Sequence, residues 1–365
     1  MSQSFGKNLK ITIFGSSHQE YMGVVMDNIE IGFEIDMEKL NNFMQRRAPG
    51  KSKFTTKRKE SDKINFISGV RDNKIISKTI TAIIKNENYK SKDYENLNDI
   101  PRPSHADYTS FIKYGNDMDM NGGGPFSGRL TAPFCLAGGI AKQILEEKNI
   151  KISSRIKNIG GIEDKNIDLA NPPMDELEKI SQKEIPVLDE KKEKEIRNLL
   201  EEVKKDGDSI GGICQVFGGN IPKGLGDPLF DSFEAKISYL SYGIPALRAV
   251  SFGLGLDAMK MKGSQHNDQF EIKNGQVKTI TNNAGGVVGG ITNGMPVVFD
   301  LIFKPTPSIS ICQKSFSIKE KKEKILQIKG RHDPCLALRT PPIGESILAL
   351  TLLDLLNEWK YWKNY

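Results

Sequence analysis

The sequence predicts an α+β fold built on antiparallel sheet. β-rich runs occur in both halves of the 365 residues, with helical patterns between them. The early strands are spaced like hairpins, KITIF and MGVVMDNIEI around a short turn, which is unlike the alternation that gives a parallel sheet. The composition, 38% hydrophobic and 27% charged, is that of a globular protein. No apolar run approaches the roughly 18 residues of a membrane span.

In chain order, 10–14 alternates as a strand, GSSHQE turns, and a β pattern resumes at Met22, so His18 is predicted at a strand end. Asp36 is suited to cap a helix over 37–46 with Leu40 and Phe43 on its apolar face, and RRAPG ends it as a basic turn. Strands are expected at 64–70 and 78–84, followed by a polar loop over 85–104. Residues 126–147 read as an interior helix in which Pro133 and the Gly138–Gly139 pair must kink or pack closely. Over 187–205, charges alternate around Ile196, Leu199, Leu200 and Val203, as on a solvated helix. Further strands are expected at 211–218, 247–254 and 296–303, with helices near 229–240 and 342–362. The length suits one large domain or two ordinary ones, and no repeat or long linker marks a boundary.

Charge and cysteine content narrow the function. The formal charge of +6 is spread along the chain and interrupted by acids, so a nucleic-acid-binding arm is not expected, whereas an anionic small molecule needs only a few of these cations. Cys135, Cys214, Cys312 and Cys335 stand far apart without metal-ligand spacing, and reduced thiols are expected. The first residues lack a secretory pattern, so the expected location is cytoplasmic, with no membrane partner.

Four polar clusters stand apart from the packing pattern. FGSSHQ presents two hydroxyls and the His18 imidazole at a strand end, where a proton can be exchanged near neutral pH. In RPSHADYT, Pro101 and Pro103 are expected to hold the backbone extended before Ser104 and His105, with Asp107 close enough to orient the ring or to form an Asx turn. RRAPG and GGGPFSGR combine arginine forks with glycine amides at a helix entry, a combination that binds anions without naming one. Late in the chain, TNNAGGVVGG, FKPTPSI and GRHDP offer glycine-rich backbone, the donors Lys304, Thr306 and Ser308, and charges of both signs. Each cluster taken alone also reads as ordinary turn material.

Taken together and in order, FGSSHQ, RPSHADYTSFIKYG, GGGPFSGR, DGDSIGG, IPKGLGDPLFD, TNNAGGVVGG, FKPTPSI and GRHDPC resemble the chorismate synthase family over nearly the whole chain. The resemblance implies a β-α-β sandwich of antiparallel sheets around a helical core, a single domain over 1–365, and a homotetramer. It implies a lyase that converts a small phosphorylated substrate, 5-enolpyruvylshikimate 3-phosphate, to chorismate by 1,4-elimination in aromatic amino-acid biosynthesis. Reduced FMN is the implied cofactor, with NADPH only as a flavin reductant. By the same resemblance His18 is the proton donor to the leaving phosphate, His105 stands near the flavin, and Asp333 assists proton removal. Ser17, Arg46, Arg47, Ser127, Arg129, Arg331 and Arg339 surround the substrate. Arg47, Ser127, Pro245, Ala246, Gly289, Arg331 and the loop Lys304, Pro305, Thr306, Pro307, Ser308 hold FMN. His332 receives no role, and His266 lines the flavin site through Asn267 and Asp268. The chain departs from the family pattern at Ser16, Gln19, Pro125 and Phe126 and lacks a positive charge near Met120 and Asn121. A replacement for the arginine absent at Pro125 is sought in Lys51, Lys53 or Lys113. The altered GGGPFSGR leaves a second reading, a non-catalytic homologue that binds flavin or phosphorylated metabolites.

Overall fold

The structure, a computed structural model, describes residues 3–50, 54, 60–87, 99–115, 117, 121–328 and 333–363. One antiparallel sheet comprises β1 (Ser4–Phe5), β2 (Lys10–Gly15), β3 (Tyr21–Asp27), β4 (Ile64–Ser68) and β7 (Thr79–Lys85), in the order β1-β2-β3-β7-β4. A short hairpin, β5 (Val70–Arg71) with β6 (Lys74–Ile75), lies between β4 and β7 in sequence. The second sheet, β8 (Lys151–Ile159), β9 (Ile162–Glu163), β10 (Gly212–Gly219), β11 (Leu247–Phe252) and β16 (Val297–Phe303), runs β11-β16-β10-β8-β9 and is also antiparallel. Three further hairpins pair β12 (Phe270–Lys273) with β13 (Gln276–Thr279), β14 (Val287–Val288) with β15 (Ile291–Thr292), and β17 (Gln313–Ser317) with β18 (Lys322–Leu326).

Two helices, Thr131–Glu147 and Pro341–Lys363, lie between the two main sheets. Helix α1 (Met37–Arg47) begins where the Asp36 carboxylate accepts the Lys39 amide, as the capping pattern predicts. It is followed by α2 (Asp107–Tyr114), α3 (Thr131–Glu147), α4 (Met174–Ile180), α5 (Glu190–Lys205), α6 (Phe233–Tyr242), α7 (Gly263–His266) and α8 (Pro341–Lys363). Helix α3 packs on β2, β3 and β7 and against α8, and α8 packs on β8 and β10. The result is the expected β-α-β sandwich. Helix α3 is buried from Thr131 to Leu145. Pro133 lies in its first turn, where backbone N–H groups have no intrahelical partner, so no kink is needed. Close packing is the role of the glycines: a Cβ on Gly138 would meet Ser346 Oγ of α8 at 2.1 Å, and one on Gly139 would meet Leu40 of α1 at 2.6 Å.

Two buried carboxylates tie the helical layer to its surroundings. Asp354 Oδ1 accepts the amides of Lys7, Asn8 and Leu9 at 3.0, 2.7 and 2.9 Å, pinning the turn before β2 to α8. Glu345 of α8 accepts from Arg46 of α1 at 3.0 and 2.5 Å, from Lys142 of α3 at 2.7 Å and from Ser154 of β8 at 2.6 Å. Burial pushes the Glu345 carboxyl up, but Arg46 and Lys142 outweigh it and bring it down to about 2.

Where the elements differ from expectation, local pattern was misleading. β8 escaped notice because KISSRIKNI is polar on both faces, with Ser153, Ser154 and Arg155 buried among partners far away in sequence. Helix α2 occupies part of what reads as a loop motif, and α4 follows PP without an apolar stripe long enough to mark it. β3 stops at Asp27 because Asn28 turns with φ 64°.

Gly138→Ala should lower stability by about 1–3 kcal/mol in urea denaturation, since overpacking against Ser346 exceeds the gain in helix propensity. Gly263→Ala, with open space at its Cβ, should stay within about 0.5 kcal/mol. Because the folded Glu345 carboxyl titrates below its ordinary 4.5, its stabilisation is present above that pH and is lost as pH falls toward 2. Glu345→Gln should therefore be less stable at pH 7, and its stability should change less than wild type between pH 4.5 and 2.

Candidate functional site

The turn after β2 carries the first predicted group. Gly15 has φ 93° and lies so close to Met22 that a Cβ would clash at 2.6 Å, so the chain can swing Ser16, Ser17 and His18 out of the strand only with glycine there. Ser17 Oγ is 3.0 Å from His18 Nδ1. Fully buried Asn86, at the end of β7, holds the turn by donating to Ser16 O at 3.2 Å and Gln19 O at 2.6 Å.

From Asn86 a continuous set of polar contacts crosses the interior. Asn86 Oδ1 accepts from Arg129 Nε at 3.0 Å. Arg129 NH1 and Arg47 NH2 donate to the two oxygens of Asp62, while Glu60 Oε2 stands 3.5 Å from Arg129 NH2. Arg339 Nε donates to Arg47 O at 2.9 Å, and its NH1 donates to Asp333 Oδ2 at 2.7 Å. Burial pushes the Asp62 carboxyl up, but Arg47 and Arg129 prevail and hold it below the usual carboxylate range. Three buried donors here have no hydrogen-bond acceptor: Ser16 Oγ, Arg47 Nε and Arg129 NH2. Buried donors left in this state are costly, and an anion is the acceptor that would satisfy guanidinium groups.

The second imidazole is mounted differently from expectation. The segment before it is not extended: Ser104 has φ 59°, the His105 amide donates back to Arg102 O at 3.2 Å, and Ala106 leads into α2. Arg102 forks onto Asp107 with Nε–Oδ2 and NH2–Oδ1 both at 2.7 Å, and its NH1 donates to Ser308 Oγ at 3.1 Å. Asp107 Oδ1 lies 2.6 Å from His105 Nδ1. The Lys304 ammonium donates to Ser104 O, and Ser315 of β17 donates to Pro101 O at 2.5 Å. Gly123, at φ 97°, approaches the other edge of the ring, where a Cβ would stand 3.6 Å from His105 Nε2 and 3.7 Å from Ser127 Cβ. The Ser127 hydroxyl caps the turn leading to Arg129, accepting its amide at 3.3 Å. The glycine run therefore opens two 3-10 turns, 121–126 and 128–130, rather than α3 directly.

A cavity of about 900 Å³ opens beside Ser127 and Pro245, with Tyr114, Pro125 and Phe126 on its wall; Lys113 is the one charged side chain among its described lining residues. Ala246, next to Pro245, holds φ 68° and accepts the Lys304 amide at 3.0 Å, joining this wall to the Lys304–Ser308 loop. In that loop the buried Thr306 hydroxyl lacks a partner. Gly289 is not among the residues that line the cavity; its neighbour Gly290 accepts the Phe233 amide at the start of α6 at 2.9 Å. Arg46 points away from Arg47 to Glu345, and it shares with Arg339 the wall of a cavity of about 290 Å³. His266 is likewise outside the larger cavity, and Asp268 is used to brace the amides of Asn283 and Ala284. Arg331 and His332, together with Lys51, Lys53 and Met120, lie outside the described residues.

Sequence reasoning missed Asn86, Asp62 and Arg102. The only signals were an acid before a strand, an asparagine after one and an arginine between prolines, none of which has a period. Among the described residues no group of three His, Cys, Asp or Glu side chains could hold a metal ion, and no helix is long and apolar enough to cross a membrane.

Known proteins share this sequence and fold. The family model described as chorismate synthase matches residues 9–356. Similar curated proteins are the chorismate synthases of Lancefieldella parvula, 38% identical with 100% of this chain and 98% of the relative covered, and of Christiangramia forsetii, 42% identical with 96% of each covered. That of Archaeoglobus fulgidus is 39% identical, again with 96% of each covered. A solved chorismate synthase crystal structure superposes with a TM-score of 0.78 at 27% identity, covering 97% of this chain and 93% of the other.

Asp62→Ala should cost about 3–5 kcal/mol in denaturant unfolding, because it leaves Arg47 and Arg129 buried without their shared counter-charge. A loss under about 1 kcal/mol would mean that the two guanidiniums do not depend on it.

Proposed function

This chain belongs to the chorismate synthase family, and from that premise we propose that it converts 5-enolpyruvylshikimate 3-phosphate to chorismate and phosphate with reduced FMN bound beside the substrate. The reaction breaks one C–H and one C–O bond on either side of an existing ring double bond, which shifts, so that two double bonds form, one is consumed and the ring gains one. The electron pair of the C–O bond leaves with phosphate, and no net oxidation occurs.

One observation carries the reading: unbroken polar contacts link the His18 turn to Arg129, Asp62, Arg47, Arg339 and Asp333, with buried unpaired donors on both Arg47 and Arg129. A substrate with a phosphate and two carboxylates would complete them. Arg47, Arg129, Arg339 and Arg331 bind and orient these anionic groups, with the Ser17 and Ser127 hydroxyls beside them. Arg46, committed to Glu345, enters only through the wall it shares with Arg339. His18 gives a proton to the departing phosphate, where charge develops. Asp333, oriented by Arg339, takes the proton lost from the substrate ring.

The residues also fit the cofactor. A cavity of about 900 Å³ with apolar and aromatic walls suits a flat ring system, and the partnerless Thr306 hydroxyl offers a donor in the adjoining loop. Reduced FMN held there would supply an electron-rich ring beside the reacting carbons. His105 holds a proton near the flavin, and Lys113 supplies the cation absent at Pro125. This reading takes the chain as one domain in a homotetramer, with NADPH only as a reductant of the flavin.

An anaerobic assay with reduced FMN and the substrate should release phosphate and yield chorismate. His18→Ala should lower kcat by at least about 100-fold. Lys113→Ala should raise KM by roughly 10- to 100-fold, the equivalent of one charge-assisted contact. Folded protein that binds FMN tightly but turns over no substrate would instead support a non-catalytic flavin-binding homologue.

A further inference from the structure

We propose that Asp107 is a positioning residue, clamped by Arg102, that fixes the tautomer of His105 so that Nε2 is the atom available for proton transfer. The role of His105 rests on the function proposed above, whereas the clamp stands on the contacts among Arg102, His105 and Asp107.

Nδ1 of His105 has two polar neighbours, Asp107 Oδ1 at 2.6 Å and Arg102 NH2 at 3.1 Å. Only one can be its hydrogen-bond partner. Both the Arg102 bonds and the His105 bond hold Asp107 ionised against the opposing effect of its burial, so the carboxylate can only accept. The shared proton therefore sits on Nδ1, and the guanidinium directs its own N–H to the same carboxylate at 2.7 Å. Nε2 is left facing Gly123, where the absence of a side chain keeps the ring edge open toward Ser127.

The clamp is anchored on three sides. Arg102 reaches Ser308 at 3.1 Å, its own amide donates to Asp107 Oδ2 at 3.0 Å, and the Lys304 ammonium holds the carbonyl of Ser104 just before the histidine. Arg102 is thus the cation and Asp107 the acid in contact with Nδ1 of this ring, while Lys304 contacts the backbone before it. Together Arg102 and Lys304 bridge the histidine segment to the Lys304–Ser308 loop.

Asn at position 107 separates this role from simple support. Its amide oxygen can keep the Oδ2 bonds from Arg102, and its N–H₂, at the Oδ1 position, would lose the bond from Arg102 NH2 but donate to Nδ1 and drive the ring proton to Nε2. Nitrogen-15 spectra of full-length protein with labelled histidine, with His105→Ala identifying the signals, should show Nδ1–H in wild type at pH 8. Asp107→Asn should exchange the two nitrogen signals, and Asp107→Glu should keep the wild-type pattern. With reduced FMN, Asp107→Asn should lower kcat for phosphate release about 100-fold or more while KM stays nearly unchanged. A wild-type proton on Nε2 overturns the proposal without any variant, and so does an Asp107→Asn protein that keeps Nδ1–H. If the signals exchange but wild type releases no phosphate, the clamp stands and the proposed reaction falls.

Discussion

One buried carboxylate, Asp62, holds the site together. Two guanidiniums within a few ångströms of each other repel, and in a protein environment that repulsion amounts to several kcal/mol unless an anion lies between them. Asp62 lies between them, one oxygen for Arg47 and one for Arg129. By doing so it brings the end of α1, the entry to β4 and the approach to α3 to one point. The neutralisation is local and incomplete in hydrogen bonds, since an N–H of each arginine remains without an acceptor. A preorganised, desolvated set of donors of this kind binds a multiply charged anion without having to rearrange around it.

Consecutive arginines at the end of α1 serve two different clusters because residues on a helix are about 100° apart. Arg47 faces Asp62 and Arg129, whereas Arg46 faces Glu345 and, through it, Lys142 and Ser154. The second cluster joins α1, α3, β8 and α8, so the helical layer that separates the sheets is the same body that carries Arg47. Small residues permit this density: α3 can lie against both α1 and α8 only because Gly138 and Gly139 carry no side chain at the crossings. Two arginines committed to different carboxylates are thus neighbours in sequence, and their types alone do not distinguish them.

The two histidines illustrate two ways of holding an imidazole. His18 rides on a strand turn secured from behind by Asn86, which grips backbone carbonyls. His105 stands at the entry to a helix and is gripped by its ring through Asp107 and Arg102. The cavity beside Ser127 is walled mainly by apolar and aromatic groups, with Lys113 the one charged side chain among its described lining residues.

Much of the fold was legible from the sequence. The apolar alternation of β2, the cap at Asp36, the buried run of α3 and the stripe of α5 are local signals, set by periods of two and 3.6 residues that do not depend on distant partners. The candidate residues His18, His105, Arg47, Ser127, Arg129 and Asp333 were legible as well, because glycine, proline and polar residues clustered outside those periods, whereas Arg339 was named by the family resemblance alone. The sequence alone therefore determined which segments are strands and helices over most of the chain, and which side chains stand outside the packing. Tertiary structure decided which of them meet. It turned Arg46 away from Arg47, recruited Asp62 and Asn86 from segments without a local signal, and tied Arg102 of the proline-flanked motif to Asp107 and Ser308. The physical reason is that the pairing of buried charges depends on distances between elements dozens to hundreds of residues apart, and those distances exist only once both sheets have closed on the helices.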